Sequence, residues 1–138
     1  MTPFYLYYND TRCDTSCPQG QYIDTSIPNA CVGCHPGCVS CSSVPTFCTN
    51  QVCNSGYYFY SANSSCLTSC PNNFYANNST GKCTQCLAGC QLCFSGTLTA
   101  CTLCKMDGVT PYYKVRDVDE CSLTCITGQF GQLSTLTC

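Results

Sequence analysis

Apolar residues along this chain come in short bursts and never in long runs. The most apolar stretches are aromatic: Phe4-Tyr5-Leu6-Tyr7-Tyr8 and Tyr57-Tyr58-Phe59-Tyr60, each bounded by Asn, Ser or Gly. Such runs flanked by turn residues predict short strands in hairpins. No segment holds the 3.6-residue period of an amphipathic helix, so little helix is expected. No run of 18 apolar residues exists, so no membrane span is predicted in this piece. Side chains alternate along a strand. Consecutive aromatics therefore point to both faces, and one face is predicted to be exposed unless another chain or a glycan covers it.

A repeat organises the bursts. Cys-x-x-x-Cys occurs at Cys13/Cys17, Cys66/Cys70 and Cys121/Cys125, at steps of 53 and 55 residues. A turn containing Gly or Asn and then an aromatic follow each pair, at Tyr22, Tyr75 and Phe130. A further cysteine closes each block at Cys31, Cys83 and Cys138. Between blocks, Cys31-x2-Cys34-x3-Cys38-x2-Cys41 recurs as Cys83-x2-Cys86-x3-Cys90-x2-Cys93, with Gly37 and Gly89 at the same place. Cys48/Cys53 and Cys101/Cys104 complete the copies. Thr2 to Cys13 lies in register with Thr110 to Cys121, so the N-terminus falls inside a repeat and further repeats are expected upstream. Met1 to Arg12 does not read as a signal peptide, which also fits a fragment or processed piece.

Composition explains the pattern. Nineteen of 138 residues are cysteine, the signature of a disulfide scaffold. Leu, Ile, Val and Phe are too few for an oily core, so crosslinks have to replace it. Such bonds persist in oxidising compartments, which places the chain outside the cell or on its surface. Charged residues are 9% and the net charge is −2. The five cations Arg12, Lys82, Lys105, Lys114 and Arg116 are scattered, which excludes nucleic acid as a partner.

At the level of cysteine spacing the whole chain resembles furin-like repeats. They occur in growth-factor receptors, furin-type convertases, R-spondins and protist surface proteins, notably of ciliates. The resemblance implies a small disulfide-rich fold of tandem stapled β-hairpin modules in an elongated rod. Residues 1–33 are then the C-terminal part of one repeat, followed by repeats 34–85 and 86–138. It further implies the bridges Cys17–Cys31, Cys34–Cys41, Cys38–Cys48, Cys53–Cys66, Cys70–Cys83, Cys86–Cys93, Cys90–Cys101, Cys104–Cys121 and Cys125–Cys138. Cys13 is left unpaired, its partner expected upstream of Met1. Spacing by itself does not fix connectivity. Neighbour pairing from Cys13–Cys17 onward would strand Cys138 instead. Phe94 matches one receptor-contact aromatic of R-spondins. Ala100 stands where the second is expected, and no Arg-bearing hairpin lies between Cys53 and Cys66, so a role of that kind is rejected.

Other chemistry finds less support in the residues. Two Cys-x-x-Cys pairs at Cys31–Cys41 offer four thiolates to zinc. The loop between the pairs is short, however, and the cysteine excess favours disulfides. A redox Cys-x-x-Cys needs a helix N-terminus and a βαβ setting, neither of which the pattern predicts. His35, the sole histidine, reads as a solvated turn residue. Asp117, Asp119 and Glu120 read as a solvated hairpin tip. No catalytic, metal or cofactor residue is therefore assigned, and an enzyme is not expected. Four Asn-x-Ser/Thr sequons, at Asn9, Asn63, Asn77 and Asn78, offer glycosylation on hairpin tips, the last two overlapping. The expected function is a structural repeat of a surface coat, filament or large surface glycoprotein. It would associate with itself or with neighbouring surface proteins through tyrosine-rich strands and covalent glycans. The alternative is a receptor or adhesion ectodomain binding a protein or carbohydrate.

Overall fold

A computed structural model describes residues 5–7, 13–27, 30–97, 100–107, 110–115, 120–124 and 131. They form strands and turns, with no α-helix among them. The chain divides into two compact units, Met1–Ser69 and Cys70–Cys138.

In the first unit, β1 (Tyr5–Tyr7), β2 (Cys13–Asp14), β3 (Gln21–Asp24) and β4 (Ala30–Gly33) make a four-stranded sheet in the order β2-β1-β4-β3. The β1–β4 pair is parallel, and its neighbours are antiparallel. A short hairpin follows, β5 (Cys41–Ser42) with β6 (Val44–Cys48), and then a second, β7 (Tyr58–Tyr60) with β8 (Ser65–Leu67). The second unit opens with the hairpin β9 (Phe74–Asn77) and β10 (Lys82–Gln85). Next come β11 (Cys90–Cys93) paired with β12 (Cys101–Cys104), β13 (Met106–Asp107) with β14 (Thr110–Pro111), and β15 (Tyr113–Val115) with β16 (Glu120–Ser122).

The turn signature has a backbone cause. Gln21 N–H donates to Pro18 O at 3.1 Å, and Phe74 N–H donates to Pro71 O at 3.1 Å. The third residue of each turn, Gly20 (φ 82°) or Asn73 (φ 71°), is left-handed. Gly and Asn are the residues that tolerate this region. The freed carbonyls of Gly20 and Asn73 then accept N–H from Cys34 and Cys86, each at 2.8 Å. Each turn is thereby tied to the cysteine cluster after it.

The interior is sulfur. Among the described residues, ten of the fourteen buried apolar side chains are cysteines; Tyr22, Phe59, Ala100 and Val115 are the others. In the first unit Tyr22 and Phe59 close over Cys38, Cys41, Cys48 and Cys66. In the second, Cys86, Cys90 and Cys101 form the centre, with Cys93 and Cys121 against it. A closed bridge restricts the unfolded chain, so these small sheets need little apolar area to stay folded.

Candidate functional site

The chemistry-bearing residues fall into three groups: the cysteine clusters, the His35 turn and the sequon-bearing hairpin tips.

Eight bridges lie among the described residues. Cys17–Cys31, Cys34–Cys41, Cys38–Cys48 and Cys53–Cys66 staple the first unit, and Cys70–Cys83, Cys86–Cys93, Cys90–Cys101 and Cys104–Cys121 the second. Cys125 and Cys138 lie outside the described residues, as does the Cys13 side chain. Cysteines facing each other across a ladder are bonded elsewhere. Cys41 sits opposite Cys48, yet they bridge to Cys34 and Cys38. Cys93 opposes Cys101 in the same way. Consecutive bridges therefore cross-stack. The Sγ atoms of Cys38, Cys48 and Cys66 lie within 4.8 Å of one another, as do those of Cys90, Cys101 and Cys121. Cys101 and Cys121, members of different bridges, are 3.2 Å apart. Structural zinc is held by thiolates, whereas each sulfur in these two groups belongs to a disulfide.

His35, expected from the sequence as a solvated turn residue, also makes contacts within and beyond its turn. It is half-buried, and its Nδ1 accepts the Gly37 N–H at 3.1 Å. Its ring stands edge-on to Tyr57, 5.9 Å between centroids. Tyr57 in turn lies over Gly37, and Tyr112 covers Gly89 in the second unit. The carbonyls of the two glycines accept N–H from Asn54 at 2.9 Å and Lys105 at 2.8 Å. An aromatic lid over the cluster glycine is thus built twice.

The aromatic strand is more covered than alternation predicts. Phe59 is buried and packs on Cys66, while Tyr57, Tyr58 and Tyr60 are each half-buried. The side chains of Phe4 to Tyr8 lie outside the described ones. Apolar exposure is found elsewhere: Phe47 and Val52 in the first unit, Phe94 (68%) and Met106 (61%) in the second. Of the acids, Glu120 is exposed, and Asp117 and Asp119 lie outside the described residues.

Asn63 is exposed and sits between β7 and β8; its Oδ1 accepts the Ser65 hydroxyl at 2.6 Å. Asn77 ends β9 half-buried, its Oδ1 accepting the N–H groups of Ser79 at 3.0 Å and Thr80 at 3.3 Å. Its neighbour Asn78 is exposed. Asn9 lies outside the described residues.

No family model matches the chain. Individual proteins do. Proprotein convertase subtilisin/kexin type 6 of Homo sapiens is 37% identical over 95 residues, 68% of this chain. Cysteine repeat modular protein 2 of Tetrahymena thermophila is 31% identical over 120 residues, 85% of this chain. The chain is homologous to furin-like cysteine-rich repeat regions. A third relative of these repeats, surface antigen CRP170 of Giardia intestinalis, is 28% identical over 123 residues and 78% of this chain. The chain spans 9% of the convertase, 6% of the Tetrahymena protein and 37% of the Giardia antigen. The furin-like repeats are extracellular or cell-surface modules, in keeping with eight bridges that require an oxidising compartment. Among the described residues no helix is long and apolar enough to cross a membrane.

Proposed function

We propose that these furin-like repeats are structural modules of a surface coat, filament or large surface glycoprotein, associating side by side through tyrosine-bearing hairpins and glycans. Support comes from one observation above the rest: the same stapled cluster, with the same aromatic lid, is built twice in 138 residues. Repetition of one module serves length and regular spacing. A binding site instead needs a distinct patch. Residues 34–85 and 86–138 are full repeats in this reading, and 1–33 the end of another. The bridged cysteines present no thiolate, and His35 is engaged within its own turn. Both features favour a non-catalytic role.

Lateral contact draws on partly exposed Tyr58 and Tyr60 together with exposed Phe47 and Phe94. Sugars at Asn63, at one of Asn77 and Asn78, and at Asn9 cover the polar tips. Electron microscopy of the native surface material, with antibodies to this chain, tests the proposal. Labelled fibres or a regular lattice are expected. Dispersed monomers that retain a bound protein or saccharide would overturn it in favour of a receptor or adhesion ectodomain.

A further inference from the structure

An open groove of about 530 Å³ runs beside the β7–β8 hairpin. Its lining includes His35, Thr46, Tyr57, Asn63, Ser65 and Leu67. The volume falls in the small-ligand range of roughly 300–1,000 Å³. None of the lining residues carries a carboxylate, ammonium or guanidinium group. The pairing of His35 and Tyr57 rings with hydroxyl and amide groups suits a neutral sugar, whose C–H face packs on aromatic carbon while its hydroxyls reach polar groups.

One wall of the groove is itself a sequon asparagine. Asn63 Oδ1 is held by the Ser65 hydroxyl at 2.6 Å, which fixes the amide plane. The other amide atom, Nδ2, is the one that carries an N-linked sugar. A sugar on Asn63 therefore starts at the wall of the groove that His35 and Tyr57 also line.

We propose that the groove is the seat of the chain's own glycan: the first N-acetylglucosamine on Asn63 packs against Tyr57 and His35 and fastens the β7–β8 hairpin to the His35 turn. The inference rests on glycosylation of the hairpin tips. In the transfer, the Asn63 Nδ2 loses one proton and bonds to C1 of an oligosaccharide. The C1–O bond to a lipid-linked diphosphate breaks, and the diphosphate leaves with that electron pair. The unfolded chain is the acceptor, so the folded Asn63–Ser65 hydrogen bond does not obstruct it. Once folded, the sugar replaces water over two aromatic rings, which is favourable without any added charge.

The test uses the full chain secreted from a glycosylating eukaryotic host and trimmed enzymatically to a single N-acetylglucosamine at each occupied site. The identical sequence made with oxidised bridges in a bacterial periplasm is the sugar-free control. Peptide mass spectrometry reads occupancy of Asn63. Nuclear Overhauser contacts then report whether the sugar's ring and acetyl protons lie against the Tyr57 and His35 rings. His35 is the only histidine, so its reaction with diethyl pyrocarbonate gives a second measure. Contacts to both rings and a several-fold slower reaction in the glycosylated chain are expected. A bare Asn63 would remove the glycosylation reading at this site and the proposal with it. A sugar on Asn63 with no ring contacts and an unchanged His35 rate would overturn the groove alone, leaving glycosylation intact.

Discussion

Gly37→Ala isolates the aromatic lid. A methyl built on Gly37 would lie 2.6 Å from Tyr57 Cδ1, 3.0 Å from Tyr57 Cε1 and 3.0 Å from Cys66 Cβ. Carbon–carbon contacts are favourable near ~3.5–4.0 Å, so the ring has to retreat by about 1 Å. The Cys66 side cannot yield freely, because the Cys53–Cys66 bridge and the Phe59↔Cys66 pairing hold it. Retreat of Tyr57 also opens its edge contact with His35. Overpacking of this kind costs about 1–3 kcal/mol, offset by about 0.4–1 kcal/mol from a less flexible unfolded chain. The net expectation is a loss of about 1–2 kcal/mol. Gly33→Ala is the control. Nothing lies within 4 Å of its added methyl, and its φ is outside the left-handed region. It is expected to stabilise by roughly 0.4–1 kcal/mol. Urea unfolding with all bridges oxidised, followed by tyrosine fluorescence, reads both. At ordinary slopes the Gly37→Ala midpoint falls by on the order of 0.5–1 M relative to wild type. Equal midpoints for the two variants would refute the lid, since both gain the same unfolded-state term and only one meets a ring.

The bridges give a graded expectation. Removing Cys53–Cys66 by paired Ser substitutions, with 13 residues of separation, costs about 3 kcal/mol. Removing Cys34–Cys41, with 7, costs about 2.5 kcal/mol on the same loop-entropy scale; unfolding titrations compare the two. Asn77→Ala removes the acceptor for the Ser79 and Thr80 N–H groups. It should destabilise the β9–β10 hairpin by about 1 kcal/mol, the scale of one local side-chain acceptor lost from a turn or cap. Asn77→Asp keeps an acceptor and abolishes that sequon, so hydrogen exchange in the hairpin should stay near wild type. Asp24 has its carboxyl held below the usual range, first by the Ser26 hydroxyl and then by the Ser26 N–H. Its stabilising contribution is present above the ordinary carboxylate value and is lost as pH falls through the lowered one. Ser26→Ala should raise the Asp24 pKa toward 3.8, read by NMR titration; an unmoved curve would discount the hydroxyl.

Much of this molecule was legible in its cysteines. A residue type at such density, returning at steps of 53 and 55, fixes a crosslinked, extracellular repeat. The polar breaks between aromatic bursts leave room for hairpins alone. The turn residues were also legible, because Gly20 and Asn73 occupy one left-handed position for one steric reason. Tertiary structure decided the rest. The compact units divide at Ser69/Cys70, inside the stretch 34–85 that the family resemblance reads as one repeat. Each unit gathers a hairpin before its cysteine cluster and a hairpin after it, a grouping set by packing around the sulfur core and absent from linear spacing. Alternation along β7 indicates which way Tyr58, Phe59 and Tyr60 point. It does not say what covers them, and the burial of Phe59 in one cluster with Tyr22, Cys38 and Cys48 brings together side chains far apart in the chain. The closing of Tyr57 over Gly37, and of His35 against Tyr57, joins residues 20 or more positions apart. A pattern of neighbours encodes local backbone geometry, whereas such meetings depend on how the crosslinked loops are laid against each other.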